Sequence, residues 1–176
     1  IVQVYVESPL VWGIHVDAKS KYQTLSDLEN TNVAISRLGS GSQLMAYVNA
    51  NNQGWNTDNL KFEIVNTIDG AVESLSKGAS DYFMWEKFMT KPLVDKGIFR
   101  KVADCPTPWP CFVIAVRDEV LKKHPNTIAQ ILEIINIKTQ IFKEIEGIDS
   151  VLAEKYHQKI EDIQEWLSIT EWSQSA

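Results

Sequence analysis

From Asn32 onward, extended and helical patterns of apolar residues alternate along the chain. Val33, Ala34 and Ile35 form a short apolar run that predicts a strand. The turn Leu38-Gly39-Ser40-Gly41-Ser42 follows, and then Gln43 to Asn51, where Leu44, Tyr47 and Val48 fall at helical spacing. A polar loop, Asn52 to Asn59, leads to Leu60, Phe62 and Ile64 alternating with Lys61 and Glu63, a period-two strand. Thr67 or Asp69 caps a second predicted helix, with Ile68, Ala71, Val72 and Leu75 on one face and Gly78 at its end. Asp81 to Trp85 is the third strand. Three strands separated by two short helices predict βαβ crossovers and a parallel sheet with helices on its faces.

The flanks follow another pattern. Val2 to Val6 and Val11 to Val16 are extended runs on either side of Glu7-Ser8-Pro9, and a polar loop and a helical turn at Leu25 to Leu28 come next. Downstream, Pro92 is expected to interrupt a helical stretch ending at Gly97, and Phe99 to Val102 to form an edge strand. Cys111 to Val116 is a six-residue apolar run suited to a strand buried on both faces. Beyond Asp118 the pattern is helical: a turn at Val120 and Leu121, a long helix from Pro125 to Glu146, and segments at Ser150 to His157 and Glu161 to Ser168. In the long helix, Ile128, Ile131, Leu132, Ile135 and Phe142 lie on one side and Ile134, Ile137, Ile141 and Ile145 on another. So wide an apolar arc requires cover on two sides, part of it expected from residues upstream of Ile1 or downstream of Ala176.

Charge narrows the function. With 17 Lys plus Arg against 23 Asp plus Glu the formal charge is -6, and no basic cluster exceeds two adjacent residues. A nucleic-acid partner is not expected, because phosphates require a concentrated basic face. No apolar run reaches the roughly 18 to 20 residues of a membrane-spanning helix, so direct membrane insertion of this segment is not expected either. The start at Ile1 implies a processed product or a fragment. Cys105 and Cys111 match neither a redox pair nor a zinc signature and read as ordinary thiols, with a local disulfide as the alternative. His15, His124 and His157 have no metal-ligand spacing, and neither a metal nor a cofactor nor a catalytic residue is expected.

Two motifs carry candidate chemistry. Gly39-Ser40-Gly41-Ser42 lies between a strand and a helix, where unpaired N–H groups and the helix dipole favour an anion or polar group. Serine hydroxyls add donors, and glycine lets the backbone approach a ligand; a plain N-cap turn is the alternative. At the end of the third strand, Trp85 can stack on a planar ligand and Glu86 can accept from an amine. The alternative there is a core Trp beside a solvated Glu that starts a helix. Both motifs belong at carboxyl ends of parallel strands, where ligands bind in open sheets. Trp12 and Trp109 belong to extended segments that could line a cleft or simply be core.

These motifs occur in an order that resembles the type 2 periplasmic-binding-protein superfamily. The order is Ser8-Pro9-Leu10, Trp12-Gly13-Ile14, Leu25-Ser26-Asp27-Leu28, Val33-Ala34-Ile35-Ser36, Gly39-Ser40-Gly41-Ser42, Gly70-Ala71-Val72, Asp81 to Glu86 and Pro108 to Phe112. It is most similar to the branch of nitrate, sulfonate, taurine and thiamine-precursor binders, and within it to a small yeast-and-bacterial group. The resemblance implies an α/β protein of two lobes: 18–107 as a complete three-layer second lobe, and 1–17 with 108–176 as crossings plus the carboxyl-terminal, helical part of the first, whose amino-terminal part is absent. It further implies non-catalytic binding of a small polar organic molecule in an interlobe cleft, with hinge closure, in an ABC-type transporter or a soluble sensor. Gly39, Ser40, Gly41, Ser42, Trp85, Glu86 and Trp12 are the ligand-binding residues so implied, and a membrane permease is the implied protein partner. Related readings are a pyrimidine-precursor synthase and the effector lobe of a transcription regulator. Location would be periplasmic or lipid-anchored for a bacterial protein and cytoplasmic for a yeast-type one.

Overall fold

A computed structural model describes residues 1–174. They form two compact units, Leu10–Thr107 and a second made of Ile1–Pro9 with the chain from Pro108 onward.

In the Leu10–Thr107 unit, β2 (Val11–Asp17), β3 (Asn32–Ile35), β4 (Lys61–Ile64), β5 (Tyr82–Glu86) and β6 (Phe99–Pro106) form one sheet of order β4-β3-β5-β2-β6. The expected parallel core is present, since β3 pairs in parallel with both β4 and β5. The sheet as a whole is mixed, because β2 runs antiparallel to β5 and β6. The first extended segment of this unit thus supplies a central strand, with Ile14, His15 and Val16 fully buried.

Helices cover both faces. On one, α1 (Gly41–Gln53) packs over a cluster that includes Ile14, Val33, Ile35, Met45, Tyr82 and Met84. On the other, α2 (Ile68–Ser76) and α3 (Lys87–Asp95) enclose Ala34, Ala71, Leu75, Phe83 and Phe99. Thr67 caps α2, its hydroxyl accepting from Gly70 N–H at 3.0 Å. At Gly70 a Cβ would stand 2.0 Å from the Val65 carbonyl oxygen, so only glycine lets the helix start this close to the preceding strand.

Three expectations change here. The buried face of α1 is Ser42, Met45, Ala46, Asn49 and Ala50, whereas Leu44 and Tyr47 are exposed. Small residues let the helix approach the sheet, and they outweigh the larger apolar side chains in setting its rotation. Pro92 does not interrupt α3, which runs through it. Glu86 caps the helix start, and Gly97, with φ of 67°, takes the left-handed turn beyond its end, so the single hydrogen bond lost at proline is tolerated. The edge strand predicted at Phe99–Val102 extends to Pro106.

In the other unit, β1 (Gln3–Val6) pairs antiparallel with β7 (Phe112–Ile114). The C-terminal residues extend this pair: Val6 bridges Trp172, and Ser173 N–H donates to the Tyr5 carbonyl at 3.0 Å. β7 is short and exposed, Phe112 by 45% and Val113 by 41%, where a doubly buried strand was expected from Cys111 to Val116. The described residues place β1 alone beside it and give its faces no double cover. Four helices follow: α4 (Asp118–Lys123), α5 (Pro125–Phe142), α6 (Ile148–Tyr156) and α7 (Ile160–Ile169). Of the wide apolar arc on α5 only Leu132 is buried. Among the described residues no helix is long and apolar enough to cross a membrane.

Candidate functional site

The carboxyl ends of β3 and β5 and the start of β2 lie at one end of the sheet, because β2 runs antiparallel to β5 with Trp12 opposite Glu86 and Gly13 opposite Trp85. The turn after β3 brings the start of α1 to the same end. Six of the seven implied ligand-binding residues, all but the turn residue Gly39, lie in or directly beside this cluster.

The serines are less available than their positions suggest. Ser40 and Ser42 are buried, and their hydroxyls bond to each other at 2.9 Å. Ser42 Oγ also accepts the Ser36 N–H at 2.9 Å, and Ser40 Oγ accepts Gln43 N–H at 3.4 Å as the N-cap. Gln43 reciprocates, its Oε1 accepting Gly39 N–H at 2.7 Å. Gly39 itself supplies the left-handed turn, with φ of 71°. These bonds occupy both hydroxyls and three main-chain donors, the N–H groups of Ser36, Gly39 and Gln43. The N–H groups of Gly41 and Ser42 are the first-turn donors left without a partner among the described residues, at the positive end of the helix dipole.

Trp12 stands against this helix start. A Cβ on Gly41 would meet Trp12 Cη2 and Cζ2 at 3.1 and 3.2 Å, so the absence of a side chain at 41 admits the indole. Because directly opposed residues share a face, Glu86 is on the face of Trp12 and α1, and Trp85 is on the other with Gly13. Trp85 stacks on Phe83 (5.3 Å, 17°) and touches Trp12 edge to face (6.0 Å, 70°). Both indole Nε1 atoms are buried without a hydrogen-bond partner among the described residues. Buried indole N–H groups ordinarily find an acceptor.

Glu86 also serves the fold, since its Oε2 accepts Met89 N–H at 2.8 Å and caps α3. Burial pushes its carboxyl above the usual range, opposed by the Met89 and Phe88 N–H groups and by Lys87. The structure therefore brings Trp12, Gly41, Ser40, Ser42 and Glu86 together on one face and sets Trp85 behind Trp12.

Sequence reasoning missed Ser36 and Gln43, which hold the turn; the Ser-x-x-Gln spacing from Ser40 was the available signal for the latter. It also passed over His15, which is fully buried with Nε2 2.9 Å from Thr90 Oγ1. Among the described residues no group of three or more His, Cys, Asp or Glu side chains is placed to hold a metal ion. Cys105 and Cys111 are not bridged, and burial raises the Cys105 thiol, opposed by Asn52.

The sequence pattern of the Ca3427-like PBP family matches residues 12–105. Among solved structures, the chain is similar to the Candida albicans CA3427 gene product, described as defining a new family with the generic periplasmic binding protein fold. The TM-score is 0.86 and the identity 23%, over 99% of this chain and 58% of that one. It is similar to the alkanesulfonate-binding protein SsuA from Xanthomonas axonopodis pv. citri bound to MOPS (TM-score 0.71, 15% identity, 98% and 61% covered). It is also similar to the periplasmic aliphatic sulphonate binding protein SsuA from Escherichia coli (TM-score 0.65, 20% identity, 97% and 58% covered). At these identities the likeness is one of fold: α/β, of the type 2 periplasmic-binding-protein kind. The chain spans 58% to 61% of the length of these three structures. No curated protein matches the sequence.

Proposed function

The chain belongs to the Ca3427-like PBP family, and from that premise we propose that it binds a small polar organic molecule at the amino terminus of α1. The observation that carries this reading is the pair of unpartnered N–H groups at Gly41 and Ser42 beside the Trp12 indole. Two converging main-chain donors suit one acceptor group of a ligand, a carboxylate, a sulfonate or a ring carbonyl, and the indole supplies an apolar wall for a planar body. Ser40 and Ser42 act chiefly by holding the turn. Glu86, on the face of Trp12 and α1, offers a carboxyl oxygen to an amine of the ligand. Trp85 backs Trp12 and fixes its tilt. Together these cues favour a small heterocycle bearing both an acceptor and an amine.

In the complete protein a second lobe closes over the molecule, with ligand contacts on both sides offsetting the cost of closure. The role is non-catalytic, as the ligand-holding component of an ABC-type transporter that docks on a membrane permease, or as a soluble sensor. The solved structures it resembles include proteins named as binders. The test is calorimetric titration of the full-length protein with an aminopyrimidine and with MOPS as probes. The aminopyrimidine is expected to bind more tightly, and Trp12→Ala to weaken it roughly tenfold or more. Absence of binding by both, or an affinity indifferent to Trp12→Ala and Gly41→Val, would overturn the reading.

A further inference from the structure

Among the described residues strand β4 is the outermost of its sheet and pairs with β3 alone. Its sequence with the preceding residue, Leu60-Lys61-Phe62-Glu63-Ile64, reads as the same chemical pattern in both directions with the charges exchanged. From this edge we infer that the protein pairs with a second copy of itself, β4 against β4 in antiparallel register about Phe62.

The register follows from hydrogen-bond parity and charge. The Val65 N–H donates to the Ile35 carbonyl at 2.8 Å, so the odd-numbered residues of β4 turn their main-chain groups towards β3. Leu60, Phe62 and Ile64 therefore turn theirs to the open side, since successive residues alternate. A twofold antiparallel pairing can then centre on Phe62, on Lys61 or on Glu63. Centring on Lys61 sets Lys61 against Lys61, and centring on Glu63 sets Glu63 against Glu63; both are repulsive. Centring on Phe62 sets Lys61 opposite Glu63 of the second copy twice over, and Leu60 opposite Ile64 twice over. Phe62 then meets Phe62 at the axis, exchanging N–H and C=O, while each Ile64 N–H reaches the Leu60 carbonyl of the second copy. This contact is closed and isologous, and it joins two five-stranded sheets into one.

The surface beside this edge suits burial. Ile64 is 47% exposed, and on the adjoining helix Leu44 and Tyr47 are 50% and 37% exposed, with the Tyr47 and Phe62 rings 5.6 Å apart. These are the residues that the apolar pattern places in a core. An open edge strand is a template for pairing with another chain, and in this register a second copy occupies it with its charges matched.

Sedimentation velocity on the full-length protein tests the inference. The wild type is expected to dimerise. Glu63→Lys, which sets lysine against lysine at both cross-strand pairs, is expected to raise the dimer dissociation constant by roughly tenfold or more, and Lys61→Glu to do the same. An equimolar mixture of the two variants should recover association as a heterodimer, and the double exchange Lys61→Glu/Glu63→Lys should dimerise alone. Circular dichroism checks that each variant is folded. A wild type that stays monomeric, association unaffected by either reversal, or a mixture that fails to recover it would overturn the proposal.

Discussion

Acidification should weaken the Leu10–Thr107 unit through a single imidazole. His15 lies on the central strand β2, fully buried, with Nε2 2.9 Å from Thr90 Oγ1 and its ring 5.7 Å from that of Phe99. Burial lowers its pKa from 6.5 to about 4. Lys101 adds to the lowering, while the main chain at Phe83 and Gly13 and the Asp104 carboxylate oppose it. The folded state thus holds the neutral ring, and the unfolded chain takes up the proton first as the pH falls. The stabilisation from the neutral ring is complete above 6.5 and is lost progressively as the pH falls from 6.5 to about 4. With 1.36 kcal/mol per pH unit, the gap between 6.5 and about 4 corresponds to a total loss of about 3 kcal/mol, of which about 2 kcal/mol is gone by pH 5. Urea unfolding of the wild type and His15→Leu at intervals from pH 7.5 to 4.5 measures it. The variant leaves the Thr90 hydroxyl its bonds to the Glu86 and Lys87 carbonyls. The difference between the two proteins cancels the other titrating groups, and wild type should lose stability relative to the variant by about the stated amount. Parallel stability curves across this window would refute the reasoning.

Further expectations concern the turn and the helix starts. Gly70→Ala forces a Cβ to 2.0 Å from the Val65 carbonyl oxygen and should cost about 3 kcal/mol in thermal or urea unfolding. Ser42→Ala removes the acceptor of the buried Ser36 N–H and should cost about 1 to 3 kcal/mol, whereas Ser40→Ala, losing a longer cap bond, should cost about 1 kcal/mol. Gly41→Val should displace Trp12, read as a shift in near-ultraviolet circular dichroism with the far-ultraviolet spectrum retained, and should cost about 1 to 3 kcal/mol.

Much of the fold was legible because local chemistry and the final structure agree. Thr67 and Pro125 mark helix starts by rules that act within one turn, and the βαβ alternation from Asn32 fixes the parallel core. What sequence missed depends on partners distant in the chain. Leu44 and Tyr47 look like core because they are apolar, yet Met45, Ala46, Asn49 and Ala50 face the sheet. Val11–Asp17 reads as extended, but its antiparallel place between β5 and β6 is set by residues some 70 and 90 positions away. At the candidate site, the pattern located the helix start and the strand end. It could not show that Ser40 and Ser42 bond to each other, that Glu86 caps α3, or that alternation sets Trp85 behind the face carrying Trp12 and Glu86.

The central claim is that the Gly41 and Ser42 N–H groups, walled by Trp12, hold a small organic molecule. Native mass spectrometry of the full-length protein purified from its source tests this most directly. A bound mass of a few hundred daltons or less is predicted on the wild type and on His15→Leu, and none on Gly41→Val. A wild type that carries no added mass even after incubation with the aminopyrimidine and MOPS probes, or a Gly41→Val protein that retains it, would contradict the account.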